Sequence, residues 1–108
     1  MLPKRNRLPR EILKVVFKEG RTVSGKHFLL KFIIAPPGGP PRISFIASKN
    51  VAKNASERNS LRRRGSDALE KNISKIPSGF LGVFIFKNSN LKVPELEDDI
   101  EEIVKKVH

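Results

Sequence analysis

The chain contains no cysteine, tryptophan or tyrosine, and only two histidines, His27 and His108. Without cysteine there is no disulfide and no thiolate metal site. Two imidazoles so far apart in sequence make a protein zinc site untenable. The lack of Trp and Tyr leaves seven phenylalanines as the only aromatics, so the broad stacking platform of many single-strand readers has little to be built from. No apolar run approaches the roughly 20 residues of a membrane span. The basic start at Met1–Arg7 is followed by no long apolar segment, which does not resemble a secretory signal. A cytoplasmic protein without membrane contact is expected.

What is abundant is positive charge. Among 108 residues, 22 Lys/Arg oppose 11 Asp/Glu, for a net charge of +11. Residues 1–87 carry 19 basic and 5 acidic side chains, whereas residues 88–108 carry 3 basic and 6 acidic ones. A basic body with an acidic C-terminal element implies one face for a polyanion and another element kept away from it. The length suits a single domain, 1–108, with a modest core.

Hydrophobic spacing divides the chain into elements. Residues 1–8 form a basic arm. Ile12, Leu13, Val16 and Phe17 then make one helical stripe, with Pro9 near its start and Gly20 as its stop. His27–Ala35 reads as a strand with Phe28, Leu30, Phe32 and Ile34 on one face. Pro36–Pro41 breaks it, and Arg42–Ala47 resumes as a strand. The two are expected to pair as a hairpin, and a short extra strand is placed at Arg21–Ser24. Val51–Ser74 is helix-compatible, with Gly65 as a weak point. Phe80–Phe86 is apolar on both faces, as for a strand in the middle of a sheet. From Pro94 a last, acidic helix (94–108) buries Leu96, Ile100, Ile103, Val104 and Val107. Its early acids, Asp99 included, and late lysines complement the helix dipole. The order α-β-β-(β)-α-β-α predicts an α+β fold, a two-layer α-β sandwich.

The equipment for stand-alone catalysis is poor. The acids of the last helix have no basic or nucleophilic companion, His27 on its strand suits a half-buried structural role, and no phosphate loop of the Walker type is present. A protein-only nuclease would need a carboxylate metal cluster that the sequence lacks. The binding signals are stronger. Arg58, Arg62, Arg63 and Arg64 fall within seven residues of one helix, after Lys49 and Lys53. Arginine is always charged and grips phosphate oxygens two at a time, so the cluster points to a nucleic-acid backbone. Asn59 and Ser60 suit contact with phosphates and 2′-hydroxyls of a folded RNA. Either this helix bends near Gly65, or Arg58 and Arg62 border a cleft between helix and sheet. Six phenylalanines lie in apolar strand patterns and read as core; Phe17 is the candidate for a cleft.

These residues resemble a known family. Leu2-Pro3-Lys4-Arg5-Asn6-Arg7-Leu8 looks like the opening of the bacterial ribonuclease P protein component, as does Val16-Phe17-Lys18-Glu19-Gly20. Ser48-Lys49-Asn50-Val51-Ala52-Lys53-Asn54-Ala55, followed by Arg58-Asn59 and Leu61-Arg62-Arg63-Arg64-Gly65, resembles its signature. The resemblance spans essentially the whole chain. It implies a fold similar to domain 2 of ribosomal protein S5, with a left-handed βαβ crossover. It also implies that the protein binds a catalytic RNA and the 5′ leader of precursor tRNA, and assists Mg²⁺-dependent removal of that leader. The RNA subunit holds most of the Mg²⁺ and performs the chemistry, and no protein partner is implied. By position, the resemblance implies RNA binding by Ser48, Lys49, Lys53, Arg58, Asn59, Arg62, Arg63 and Arg64. It implies a leader cleft at Leu13, Phe17 and Lys31. Ser60 stands where the family usually has a second Arg, so one RNA contact is missing or moved to Arg64. Asn50 replaces a common Lys, and Leu13 and Lys31 occupy positions that are often aromatic. The other reading is a small structural RNA-binding protein of ribosomal type, with no part in catalysis.

Overall fold

The computed structural model describes residues 3–36, 38–89 and 91–107. Met1, Leu2 of the opening motif, Pro37 of the proline-rich loop, Asn90 and His108 lie outside them. A one-turn 3-10 segment (Lys4–Asn6) precedes α1 (Arg10–Glu19), β1 (Arg21–Ser24), β2 (Phe28–Ile34) and β3 (Arg42–Ile46). Then come α2 (Ala55–Glu70), a second 3-10 turn (Ile73–Lys75), β4 (Phe80–Phe86) and α3 (Val93–Val107).

The four strands form one sheet in the order β1-β2-β4-β3. β2 pairs antiparallel with both β1 and β4, and β3 pairs parallel with β4. The hairpin expected between β2 and β3 does not form: β4 lies between them. The reason is in β4 itself. Phe80, Val83, Phe84 and Phe86 are buried from both sides, and a strand apolar on both faces is stable only at the centre of a sheet. The proline-rich loop is instead tied to the turn before β4, where Ala35 N–H donates to the Gly79 carbonyl (2.8 Å) and Gly79 N–H to the Gly39 carbonyl (3.1 Å). Gly79 has φ +80°, and a Cβ there would stand 2.4 Å from the Ala35 carbonyl oxygen, so the turn requires glycine.

One sheet face carries Phe28, Leu30, Phe32, Ile43, Phe45, Phe84 and Phe86, covered by Leu61, Ala68 and Leu69 of α2 and Leu96, Ile100 and Ile103 of α3. Ring centroids 5.2 Å apart for Phe28–Phe84 and 5.3 Å for Phe45–Phe84 are within the contact range of aromatic pairs. All six strand phenylalanines are core, as their alternation implied. Gly65 is not a weak point of α2. A Cβ there would lie 2.7 Å from Phe45 Cδ1 and 3.0 Å from Phe86 Cζ, so its absence lets helix and sheet approach closely.

The other face carries Leu29, Lys31 and Ile33 of β2 beside Ile85, Val83 and Leu81 of β4. α1 lies over it, with Val16 wholly buried. β3 is extended outward by the arm. Arg7 forms a parallel bridge with Ile43, Leu8 N–H donates to the Ile43 carbonyl (3.2 Å), and buried Asn6 donates from Nδ2 to the Pro41 carbonyl (2.8 Å). A basic arm in sequence is thus a docked strap in space.

Asp99 also departs from its sequence reading. It is buried in the middle of α3 rather than serving the dipole at its start. Its Oδ1 accepts from Lys26 N–H (2.8 Å), and its Oδ2 from His27 N–H (2.9 Å) and Phe28 N–H (3.1 Å). The carboxylate satisfies backbone donors at the β1–β2 turn that would otherwise be buried without partners. His27 is half-buried beside it, with Nε2 3.9 Å from Glu95 Oε2.

Candidate nucleic-acid interface

The loop from β3 to α2 is set by local bonds. The Ser48 carbonyl accepts from Val51 N–H (3.1 Å) and Ala52 N–H (3.0 Å), which leaves Ser48, Lys49 and Lys53 exposed. Asn54 caps α2. Its Oδ1 accepts from Glu57 N–H (2.8 Å), the N-cap bond, and its Nδ2 donates to Glu57 Oε1 (2.9 Å), a side-chain pair that holds the cap in place.

From this start α2 runs along β3, held close by Gly65. Between helix, strand edge and arm lies a groove of about 520 Å³. Arg7 and Leu8 form one wall, Asn59, Arg62, Arg63 and Ser66 the other, and Ser44 and Phe45 lie beneath. On the other side of the strap is a second hollow of about 570 Å³, lined by Lys4, Arg5, Arg7, Leu8, Pro9 and Arg42. Among the described residues no carboxylate lines either space. An excess of positive side chains in a concave site with an apolar floor concentrates the field toward a polyanion. Serine and asparagine hydroxyl and amide groups supply neutral hydrogen bonds between the charges.

The four clustered arginines divide into two pairs. Arg62 and Arg63 line the groove, and Arg62 donates from Nη2 to Asn59 Oδ1. Arg58 instead folds back on the start of its own helix. Its Nη1 donates to the carbonyls of Ala52 (3.1 Å) and Lys53 (3.0 Å). Arg64 reaches the loop before α3, donating from Nη1 to the Leu91 carbonyl (2.8 Å) and from Nη2 to Ser60 Oγ (2.8 Å). Of the two arrangements open in the sequence, a cleft between helix and sheet is the one found, bordered by Arg62 but not by Arg58. α2 is continuous through Gly65.

Phe17 and Lys31 meet on the α1 face of the sheet, with Lys31 Nζ 5.7 Å from the ring centroid. Leu13 lies half-buried one turn earlier on α1. Lys31, Val83 and Ser44 occupy one cross-strand row, so Lys31 stands about two strand spacings, roughly 10 Å, from a residue of the groove. Sequence reasoning did not place Arg7, Ser44 or Ser66 in a site. Arg7 carries its signal in the opening motif, whereas Ser44 and Ser66 have none that a lone sequence reveals.

The model of the Ribonuclease P family matches residues 2–108. No curated protein matches the sequence. Solved structures share the fold, among them the following two. The RNase P protein of Staphylococcus aureus superposes with a TM-score of 0.80 at 18% identity, covering 96% of this chain and 96% of that one. The RNase P protein from Thermotoga maritima gives 0.78 at 23%, covering 98% and 99%.

Proposed function

This chain belongs to the ribonuclease P protein family, and we propose that it meets its RNA through the groove between α2, β3 and the N-terminal strap. It is the protein subunit of ribonuclease P, the endoribonuclease of tRNA 5′ maturation, and it works with the RNase P RNA and binds precursor tRNA. The observation that carries the proposal is the convergence of Arg7, Asn59, Arg62 and Arg63 on one concave site. Ser48, Lys49 and Lys53 extend the same surface past the start of α2. Phosphate contacts of this kind fix register and orientation without reading bases.

The 5′ leader is assigned to the α1 face, over Leu13, Phe17 and Lys31, where an aromatic ring and an ammonium group lie together. The ring offers a π-face to a base and the lysine a charge to a phosphate. Among the described residues no group of three or more His, Cys, Asp or Glu side chains is placed to hold a metal. The Mg²⁺ is assigned mainly to the RNA subunit. What the chain supplies is affinity, orientation and neutralisation of phosphate charge. No described helix is long and apolar enough to cross a membrane, and we place the holoenzyme in the cytoplasm. The purely structural RNA-binding reading shares the groove but not the family.

Reconstitution with the cognate catalytic RNA at low Mg²⁺ tests this function. Precursor tRNA cleavage rises steeply on adding the protein. An unchanged rate overturns the reading.

A further inference from the structure

We propose that Arg64 is a positioning residue that locks the rotation of α2, and that Ser60 is its second anchor. This rests on the reading of α2 as the RNA-docking helix. Residues advance about 100° around a helix axis, so Asn59, Arg62, Arg63 and Ser66 share one arc, the arc that lines the groove. Leu61, Gly65, Ala68 and Leu69 are the buried side. Ser60 and Arg64 fall on the remaining flank, more than about 90° from the centre of the groove arc. A guanidinium on that flank is turned away from the RNA assigned to the groove.

What it does there is visible in its bonds. Nη1 donates to the Leu91 carbonyl and Nη2 to Ser60 Oγ, each at 2.8 Å, and the side chain is half-buried. Leu91 is itself buried and lies just before α3. The bond therefore ties the flank of α2 to the entry of the acidic helix. With the core fixing one side and this tie another, the groove arc is held outward. A serine at position 60 makes the geometry possible, since its short hydroxyl accepts from the guanidinium one turn on. The charge absent at position 60 is thus not carried to the RNA by Arg64.

The test is a salt series of binding between the full-length protein and its catalytic RNA. Arg64→Ala should weaken binding about fivefold to tenfold at every salt concentration, with the slope of log affinity against log salt unchanged. Loss of a phosphate contact would instead reduce that slope by about 0.7 to 0.9, and that result would overturn the proposal. Ser60→Ala should weaken binding about threefold, Ser60→Thr should restore it, and the Ser60→Ala loss should vanish in an Arg64→Ala background. If Ser60→Ala leaves binding unchanged or tightens it, Arg64 was being withheld from the RNA and the proposal fails. These serine variants keep the test open should Arg64→Ala not fold. Arg62→Ala with Arg63→Ala is the separate control. An unchanged slope there would sink the docking face itself rather than the lock.

Discussion

Lys31 stands over the ring of Phe17, its ammonium 5.7 Å from the centroid, on the sheet face opposite the phenylalanine core. The pair joins a helix and a strand that the sequence separates by fourteen positions. Such a cation-π contact at an exposed site is worth about 0.5–1 kcal/mol, too little to explain the fold but enough to hold a lysine upright beside a ring. If this is the leader cleft, Phe17→Ala removes the stacking surface. We expect holoenzyme affinity for precursor tRNA to fall about tenfold, in line with about 1–3 kcal/mol for a stacked base, while mature tRNA binding stays unchanged. Equal losses for both tRNAs would count against the cleft.

Arg62→Ala combined with Arg63→Ala removes two groove cations. Affinity for the catalytic RNA should fall, and the salt slope should lessen by about 1.5, near the value for two phosphate contacts. A slope equal to that of the wild type would show that neither side chain meets a phosphate.

Gly65→Ala offers a test of helix–sheet approach. Helix propensity alone predicts stabilisation by about 1 kcal/mol. The added Cβ would stand 2.7 Å from Phe45 Cδ1, and overpacking a core costs about 1–3 kcal/mol. We expect net destabilisation in urea unfolding, with weakened RNA binding as α2 is pushed off β3. A more stable variant would show that the core yields freely at this point.

Asp99→Asn tests the buried carboxylate. Both oxygens accept backbone N–H donors at the β1–β2 turn, and an amide nitrogen can replace neither. Leaving buried donors unpaired costs about 1–3 kcal/mol each, so the unfolding midpoint should drop and amide exchange at Lys26, His27 and Phe28 should quicken. RNA affinity of the folded fraction should not change. Unaltered exchange at those amides would refute the clamp.

Much of this architecture is legible in the residues one at a time. β1, Arg21–Ser24, and β4, Phe80–Phe86, fall where alternation and apolar runs put them, and β4 announces its central place by being apolar on both faces. The pairing of β2 with β3 misled because neighbours in sequence are the default partners of strands, and only competition for a doubly apolar strand displaces them. Gly65 and Asp99 misled for a related reason. A glycine in a helix and an acid in a helix each have an ordinary local meaning, and their actual roles depend on Phe45 and on the amides of residues 26–28, which are remote in sequence.

The arginine cluster divides along the same line. Local sequence determines that the stretch within Val51–Ser74 is helical and carries four arginines, because spacing, capping by Asn54 and Glu57, and side-chain charge are properties of neighbours. The family signature is likewise a property of consecutive residues. Which arginines face outward is decided only in the folded molecule. Packing of Leu61, Ala68 and Leu69 on the sheet sets the rotation of α2, the strap at Arg7 and Leu8 supplies the opposite wall, and the carbonyls of Ala52, Lys53 and Leu91 draw Arg58 and Arg64 away from it. A guanidinium turns to acceptors within its reach, and for Arg64 that acceptor, the Leu91 carbonyl, lies 27 positions away and is brought there only by tertiary structure.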